Sequence, residues 1–324
     1  MIVVIGEALI DLIQDRTKTD SYTAVVGGAN ANVAIALARR GVRQQLLARI
    51  STDSFGQKIR KRLMDNHVGL DYAITAKEQS TLAVASVDDE GVANYSFYVK
   101  ETADWGFTPE ELLTDIDLEN MHAKAIQYGC LTMAMAPGNE VIERWIRAHY
   151  VQSSLTLSHD INIRPALGFE ASKEKARVEA VNSMSHIIKA SDDDINWLYS
   201  LKDDANIDEI VWGWIGESDK IVFVTRGADG VSVYRKNKTR FDVASRKVQV
   251  ADTVGAGDTF CANLLAQLLD IGALGEDPYD LLANLKNEDL KEIVRIAGVA
   301  ASIACERVGA EPPTLAELNM VLSA

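Results

Sequence analysis

The chain is poor in cysteine: three in 324 residues (Cys130, Cys261, Cys305), widely separated and set in apolar runs. That excludes a disulfide framework or a cysteine-built metal centre, and it fits a reducing, cytoplasmic setting. The five histidines (His67, His122, His149, His159, His186) show no metal-ligand spacing. Basic residues are outnumbered 33 to 47, a net charge of −14. Nucleic acid and anionic membranes are therefore disfavoured as partners, since both require a positive surface. An anionic small ligand stays open, because a local field can oppose the net charge. No apolar window approaches a membrane span. The opening run Met1-Ile2-Val3-Val4-Ile5-Gly6-Glu7 reads as a strand and lacks the basic leader of a signal peptide. Also missing are a P-loop, a Gly-x-Gly-x-x-Gly after the first strand and a Gly-x-Ser-x-Gly elbow.

Short β-rich runs at 2–5, 45–50, 125–128, 155–161, 186–189 and 221–225 alternate with helical patterns at 30–40, 54–66, 140–150, 174–183, 193–201 and 207–215. This rhythm predicts an α/β fold, a mostly parallel sheet with helices on both faces. No Pro/Gly/Ser-rich linker interrupts it, so residues 1–324 read as one domain. Two stretches, 10–24 and 81–99, are β-like without following helices, and Asp88-Asp89-Glu90-Gly91 is a hairpin signal inside the second. A small antiparallel sheet formed by about 10–24 and 81–100 would suit a lid over a cleft. Its edges would also suit a matching lid from a second copy, giving a homodimer.

The most informative run is Asp252-Thr253-Val254-Gly255-Ala256-Gly257-Asp258-Thr259-Phe260. Two glycines expose amides where an apolar helix begins, and a helix start offers unpaired N–H groups and a positive dipole end. Such a place holds phosphate, and a carboxylate beside it could take a proton from an attacking hydroxyl. Taken alone, the run reads equally as a tight turn and a helix cap.

Three further segments bear on the choice. Gly27-Gly28-Ala29-Asn30-Ala31-Asn32 brings a Gly pair ahead of an Ala-rich helix. With Asp11, the donor and acceptor of Asn32 suit a polyol. Strand alternation puts Asp160, Asn162 and Arg164 on one side of a strand end and His159 on the other. Arg164 is a natural phosphate clamp there. Thr225-Arg226-Gly227-Ala228-Asp229-Gly230 follows a strand directly and could hold phosphate, or simply turn the chain.

The motifs at 27–34 and 252–260, in this order and more than 200 residues apart, closely resemble the two signatures of ribokinase-like (PfkB-type) carbohydrate kinases. Gly6-Glu7-Ala8-Leu9-Ile10-Asp11, Thr102-Ala103-Asp104-Trp105, Asp160-x-Asn162-x-Arg164, Ser191-Asp192-Asp193-Asp194 and Gly309-Ala310 are similar to its fructokinase branch. The resemblance implies a three-layer α/β/α sandwich of the nine-stranded type with a β-lid. It also implies transfer of the γ-phosphate of ATP, with Mg²⁺, to a sugar hydroxyl. Asp258 matches the catalytic base, and the amides of Gly255, Ala256 and Gly257 the anion hole. Asp11, Gly28, Asn32 and Asp104 match sugar positions, and Arg164 one beside sugar and transferring phosphate. Ser191, Thr225, Gly227 and Gly230, with Gly255 and Gly257, match nucleotide positions. Asp252 and the Val254 backbone match a monovalent-cation site that potassium fills in some members.

Three positions depart from the pattern. Ser191-x-x-Asp194 stands where many members have Asn-x-x-Glu, Pro313 where a serine is frequent, and Asn263 in place of a small residue. The acceptor expected from the branch is a ketohexose, D-fructose. 2-Keto-3-deoxygluconate (with Lys100 and Arg164 as basic partners), ribose and nucleosides (with Trp105 and Phe107 as a slot) are the alternatives within the family. A non-catalytic sugar-sensing protein is the alternative outside it.

Overall fold

A computed structural model describes residues 1–15, 18–87, 93–202 and 206–323. In chain order the strands are β1 (Ile2–Ile5), β2 (Leu9–Asp15), β3 (Lys18–Gly27), β4 (Gln44–Leu47), β5 (Arg49–Ser51), β6 (Ile74–Ala76), β7 (Leu82–Val87), β8 (Ala93–Tyr98), β9 (Ala125–Gly129), β10 (Thr156–Asp160), β11 (Ile187–Ser191), β12 (Ile221–Thr225), β13 (Val231–Arg235) and β14 (Thr239–Val243). The helices are α1 (Ala29–Arg39), α2 (Ser54–Asp65), α3 (Asp115–Asn120), α4 (Gly138–Gln152), α5 (Ala171–Ser183), α6 (Asp192–Leu198), α7 (Asp208–Ile215), α8 (Ala256–Asp270), α9 (Pro278–Ala283), α10 (Asn287–Cys305) and α11 (Leu315–Leu322).

The main sheet runs β14-β13-β12-β11-β10-β9-β1-β4. Its six strands from β12 to β4 are parallel, and β13 and β14 close one edge as an antiparallel pair. Parallel strands covered on both faces must be apolar at successive positions. β1 meets this demand: Ile2 and Val4 enter the core beneath α1, α8 and α10, and Val3 and Ile5 enter the opposite core beneath α4. Farther along, Val178 of α5, Ile195 of α6 and Val211 of α7 cover Ile188 and Val222 on that second face. These are the three layers expected of the fold class.

Three details of the main sheet depart from the sequence reading. The main sheet has eight strands among the described residues, because the polar run after β14 forms no further strand. The run at 45–50 is not one strand. It divides into β4, in the main sheet, and β5, which pairs with β6 in a separate two-stranded sheet. The cause is Arg49, whose guanidinium donates to Ala103 O at 2.9 Å and pairs with Glu78 at 2.9 Å and with Glu111. An apolar sheet face offers a buried cation no such partners. Finally, strand alternation does not extend to 164. β10 stops at Asp160, and Asn162 takes a left-handed conformation (φ 42°).

The β-like stretches that break the rhythm form a four-stranded sheet, β3-β2-β7-β8; β2 and β7 are parallel at its centre, so it is mixed and not the antiparallel sheet expected. The turn at 88–91 lies outside the described residues. Ile10 and Val26 of this sheet enter the main core. Leu9 and Ala83 pack with Trp105, Cys130 and Leu131 in a smaller cluster beside the strand ends.

Candidate active site

The carboxyl ends of β1, β9, β10, β11 and β12 open on one side of the sheet, and the amino end of α8 stands over them. In an open parallel sheet this is where a ligand crevice forms. A separate groove of about 560 Å³, lined in part by Asp115, His122, Lys124 and His149, precedes β9 and β10 at their amino ends.

The two glycine motifs meet here. Asn32 Nδ2 donates to Asp258 Oδ2 at 2.8 Å, across 226 residues of sequence. Asp258 sits in the first turn of α8 and is 7 % exposed. Burial pushes its carboxyl up to about 7, and Asp160 adds to the rise. The hydrogen bond from Asn32 and the charges of Lys189 and Arg164 hold it back. A carboxyl poised near neutrality is suited to accept a proton.

The turn ahead of α8 is held from below. Gly255, the N-cap, has φ 75°, and a Cβ there would lie 2.6 Å from the Ala310 side chain. Asp252 accepts from Val254 N at 3.1 Å and from Gly309 N at 2.8 Å, fastening this turn to the 309–312 loop. Glu311 of that loop pairs with Arg39 of α1 at 2.8 Å and with Arg62 of α2, and Arg39 also donates to Pro312 O at 2.8 Å.

The residues expected at the sugar divide into two groups. Asp11 on β2 lies over Gly27; burial raises its carboxyl to about 6, and the Arg164 charge opposes that rise. Arg164 thus stands near both Asp11 and Asp258, and its Nη1 donates to Asn162 Oδ1 at 2.5 Å and Ile163 O at 3.0 Å. Gly28 is the N-cap of α1. Asp104 is set back from this group: it is 2 % exposed, and its Oδ1 accepts from Ala8 N at 2.9 Å. Burial raises it to about 7. Its place is beneath the 6–8 loop, positioning it. Phe107 belongs to the core beneath α4, while Trp105 joins the small cluster beside the cleft. Lys100 extends into solvent, its side chain 90 % exposed.

Of the residues expected at the nucleotide, Ser191 and Thr225 are register partners at the ends of β11 and β12. Thr225 Oγ1 donates to Ala190 O at 3.3 Å. The 227–230 turn is closed by Arg226 N donating to Gly230 O at 2.8 Å, and Gly227 O accepts from Ser245 Oγ at 3.0 Å. Ser191-x-x-Asp194 is a capping box for α6: Asp194 N donates to Ser191 Oγ at 3.0 Å and Ser191 N to Asp194 Oδ2 at 2.7 Å. Asp194 Oδ1 also accepts from Ile163 N at 2.8 Å, in the loop that carries Arg164.

Sequence reasoning gave no role to three residues beside the site. Glu7, 1 % exposed, accepts from Ala29 N at 3.0 Å, Asn30 Nδ2 at 2.8 Å and Thr132 Oγ1, and so fixes the start of α1 against β1. Lys189 forms a buried pair with Asp160. Cys130 follows β9 with φ 55° and lies near Glu7, Arg164 and Asp258. The spacing Ser-x-x-Asp ahead of an apolar helix was the available signal for the capping box. Glu7 lies in the run Gly6–Asp11 but nothing local marks its role, and nothing local marks Lys189 or Cys130. His159 is structural, as alternation predicts: it stacks on Tyr128, meets Asn182 at 2.8 Å, and burial lowers it to about 3.

The model for the pfkB family of carbohydrate kinases matches residues 1–317. This chain belongs to that family. It is therefore a sugar phosphotransferase, and among its described residues no helix is long and apolar enough to cross a membrane. A fructokinase of Rhizobium leguminosarum bv. trifolii is 33 % identical over 272 residues, covering 83 % of this chain and 79 % of that protein. The probable fructokinase-4 of Arabidopsis thaliana is 28 % identical, covering 99 % and 96 %. The structure of a Xylella fastidiosa fructokinase with bound ATP superposes with a TM-score of 0.87 at 25 % identity, covering 99 % of this chain and 98 % of that one. Aminoimidazole riboside kinase of Salmonella enterica shares the ribokinase-like fold at a TM-score of 0.77 and 21 % identity, covering 100 % and 99 %.

Two outcomes follow from the geometry. Asp258 keeps its proton in the folded state up to about pH 7, whereas its ordinary value is 3.8. The stability it contributes is fully present below its ordinary value and lost as pH rises through about 7. Asp258→Asn, neutral throughout, should melt above the wild type at pH 8, with the gap narrowing at pH 5 in paired thermal melts. Gly255→Ala must adopt a left-handed backbone and displace Ala310. It should lose about 1–3 kcal/mol in chemical denaturation.

Proposed function

We propose that this member of the family is an ATP-dependent fructokinase, transferring the γ-phosphate of ATP to a primary hydroxyl of D-fructose. The observation that carries the transfer is the Asn32–Asp258 hydrogen bond, which places a carboxyl of pKa about 7 at the amide-rich start of α8. The choice of fructose is supported by the fructokinases among its relatives.

In this reading Asp258 accepts the proton as the sugar hydroxyl attacks phosphorus. The Gly255, Ala256 and Gly257 amides and Arg164 stabilise the charge that builds on the phosphoryl oxygens. Asp11, Gly28 and Asn32 hold the sugar, with Asp104 bracing the loop beneath it. Ser191, Thr225, Gly227 and Gly230 receive the nucleotide. Mg²⁺ would neutralise charge on the triphosphate; both oxygens of Asp194 already accept amide hydrogens, which suits an ion held by phosphates and water. The four-stranded sheet acts as the lid of this single-domain enzyme and keeps water from competing for the phosphoryl group. Ile13 and Tyr22 on that sheet are each 45 % exposed, which suits contact with a second copy's lid. Asp252 and the Val254 carbonyl would hold a monovalent cation, since each Asp252 oxygen accepts one amide hydrogen and keeps a lone pair. An acid sugar finds less support, because Lys100 points to solvent and leaves Arg164 as the basic group. A nucleoside slot finds less support because Phe107 is core.

A coupled ADP-release assay over fructose, ribose, 2-keto-3-deoxygluconate, glucose and nucleosides should give its highest kcat/KM with fructose; a strong response to another acceptor alone would reassign the branch. Asp258→Asn should lower turnover roughly 10²–10⁴-fold with sugar affinity nearly unchanged. Because the ionised carboxyl is the active form, wild-type kcat/KM should fall about tenfold per pH unit below its value of about 7.

A further inference from the structure

Beneath the first turn of α8 lies an ion pair that the reaction scheme above leaves unused. Asp160 and Lys189 are register partners on β10 and β11, and each is 4 % exposed. Lys189 Nζ donates to both carboxylate oxygens, at 2.8 and 2.9 Å. The ammonium also faces α8: a Cβ on Gly257 would lie 3.2 Å from Nζ. The helix backbone therefore rests against the cation at the centre of the amide cradle, and a side chain at 257 would push the two apart.

Stability alone does not account for this arrangement. A buried ion pair is often no better than apolar residues of the same volume. A cation at the amino end of a helix is worse than neutral, because that end already carries positive potential. The cation and the dipole would both be satisfied by an anion bound on the Gly255–Gly257 amides. We propose that Lys189, held by Asp160, is a positioning residue that supplies the positive floor of the phosphate cradle and favours a nucleotide carrying the phosphoryl group to be transferred. This rests on the kinase reading and assigns a further part of the same site.

The electrostatics agree in direction. Burial works to strip the Lys189 proton, but Asp160 overcomes it and keeps the group charged. Asp258 is surrounded by Asp160, which raises its carboxyl, and by Lys189 and Arg164, which lower it, with Asn32 donating to it. Cys261 of α8 and Asp194 of α6 are the other titratable groups near Lys189.

The pair can be separated because its members act with opposite sign. Lys189→Met should move the acid limb of kcat/KM for fructose upward by about one pH unit. It should also cut the preference for a non-hydrolysable ATP analogue over ADP roughly tenfold, read by calorimetry. Asp160→Asn should move the limb downward and keep that preference. Movement of both in the same direction, or of neither, would make the pair a core contact only and overturn the proposal. If Lys189→Met does not fold, the double variant Asp160→Asn/Lys189→Met leaves no lone buried charge, and a wild-type preference in it would also overturn the proposal. A wild type that binds the ATP analogue but phosphorylates none of the sugars would refute the kinase reading, and the calorimetric comparison would then decide on Lys189. A wild type that binds neither nucleotide would refute both.

Discussion

The site depends on the cost of keeping charge out of water. Glu7, Asp104, Asp160, Lys189 and Asp258 are all nearly buried around the same strand ends. An isolated ion there would cost several kcal/mol, so each is matched. Glu7 collects amide and hydroxyl donors, Asp160 takes the Lys189 ammonium, and Asp104 takes the Ala8 amide. Asp258 takes one side-chain donor, from Asn32, and burial lifts it, as it lifts Asp104, to about 7. Its readiness to take a proton and its strain on the fold are the same quantity.

Much of this was legible in the sequence, for identifiable reasons. β1, β9, β12, α1 and α2 fall within a residue or two of their patterns, because a strand buried on both faces leaves an unbroken apolar run and an amphipathic helix leaves a stripe. The two glycine motifs were legible because exposed backbone amides require small residues in a row. The break of 45–50 into two strands was hidden, since it depends on carboxylates and a carbonyl that reach Arg49 from other segments. The alternation read over 160–164 failed for a similar reason: Asn162 turns left-handed and Arg164 bonds back onto its own loop. Asp160–Lys189 and the Glu7 cluster are pairings made by the sheet, and no window of sequence contains both partners.

The Ser191–Asp194 capping box gives a physical account of a departure from the family pattern. Two short polar side chains replace the longer pair found in many members, and together they close the start of α6. The second oxygen of Asp194 then reaches Ile163 N in the neighbouring loop. One carboxylate thus joins the end of β11 and the loop that carries Arg164.

The 309–312 loop touches both halves of the Asn32–Asp258 pair. Through Asp252 and Ala310 it bears on the turn that presents Asp258; through Glu311 and Pro312 it grips the helix that presents Asn32. It works as a spacer gauge between two parts of the chain that are far apart in sequence. Lengthening that loop by a single residue would leave every strand intact and still shift Asp258 relative to Asn32.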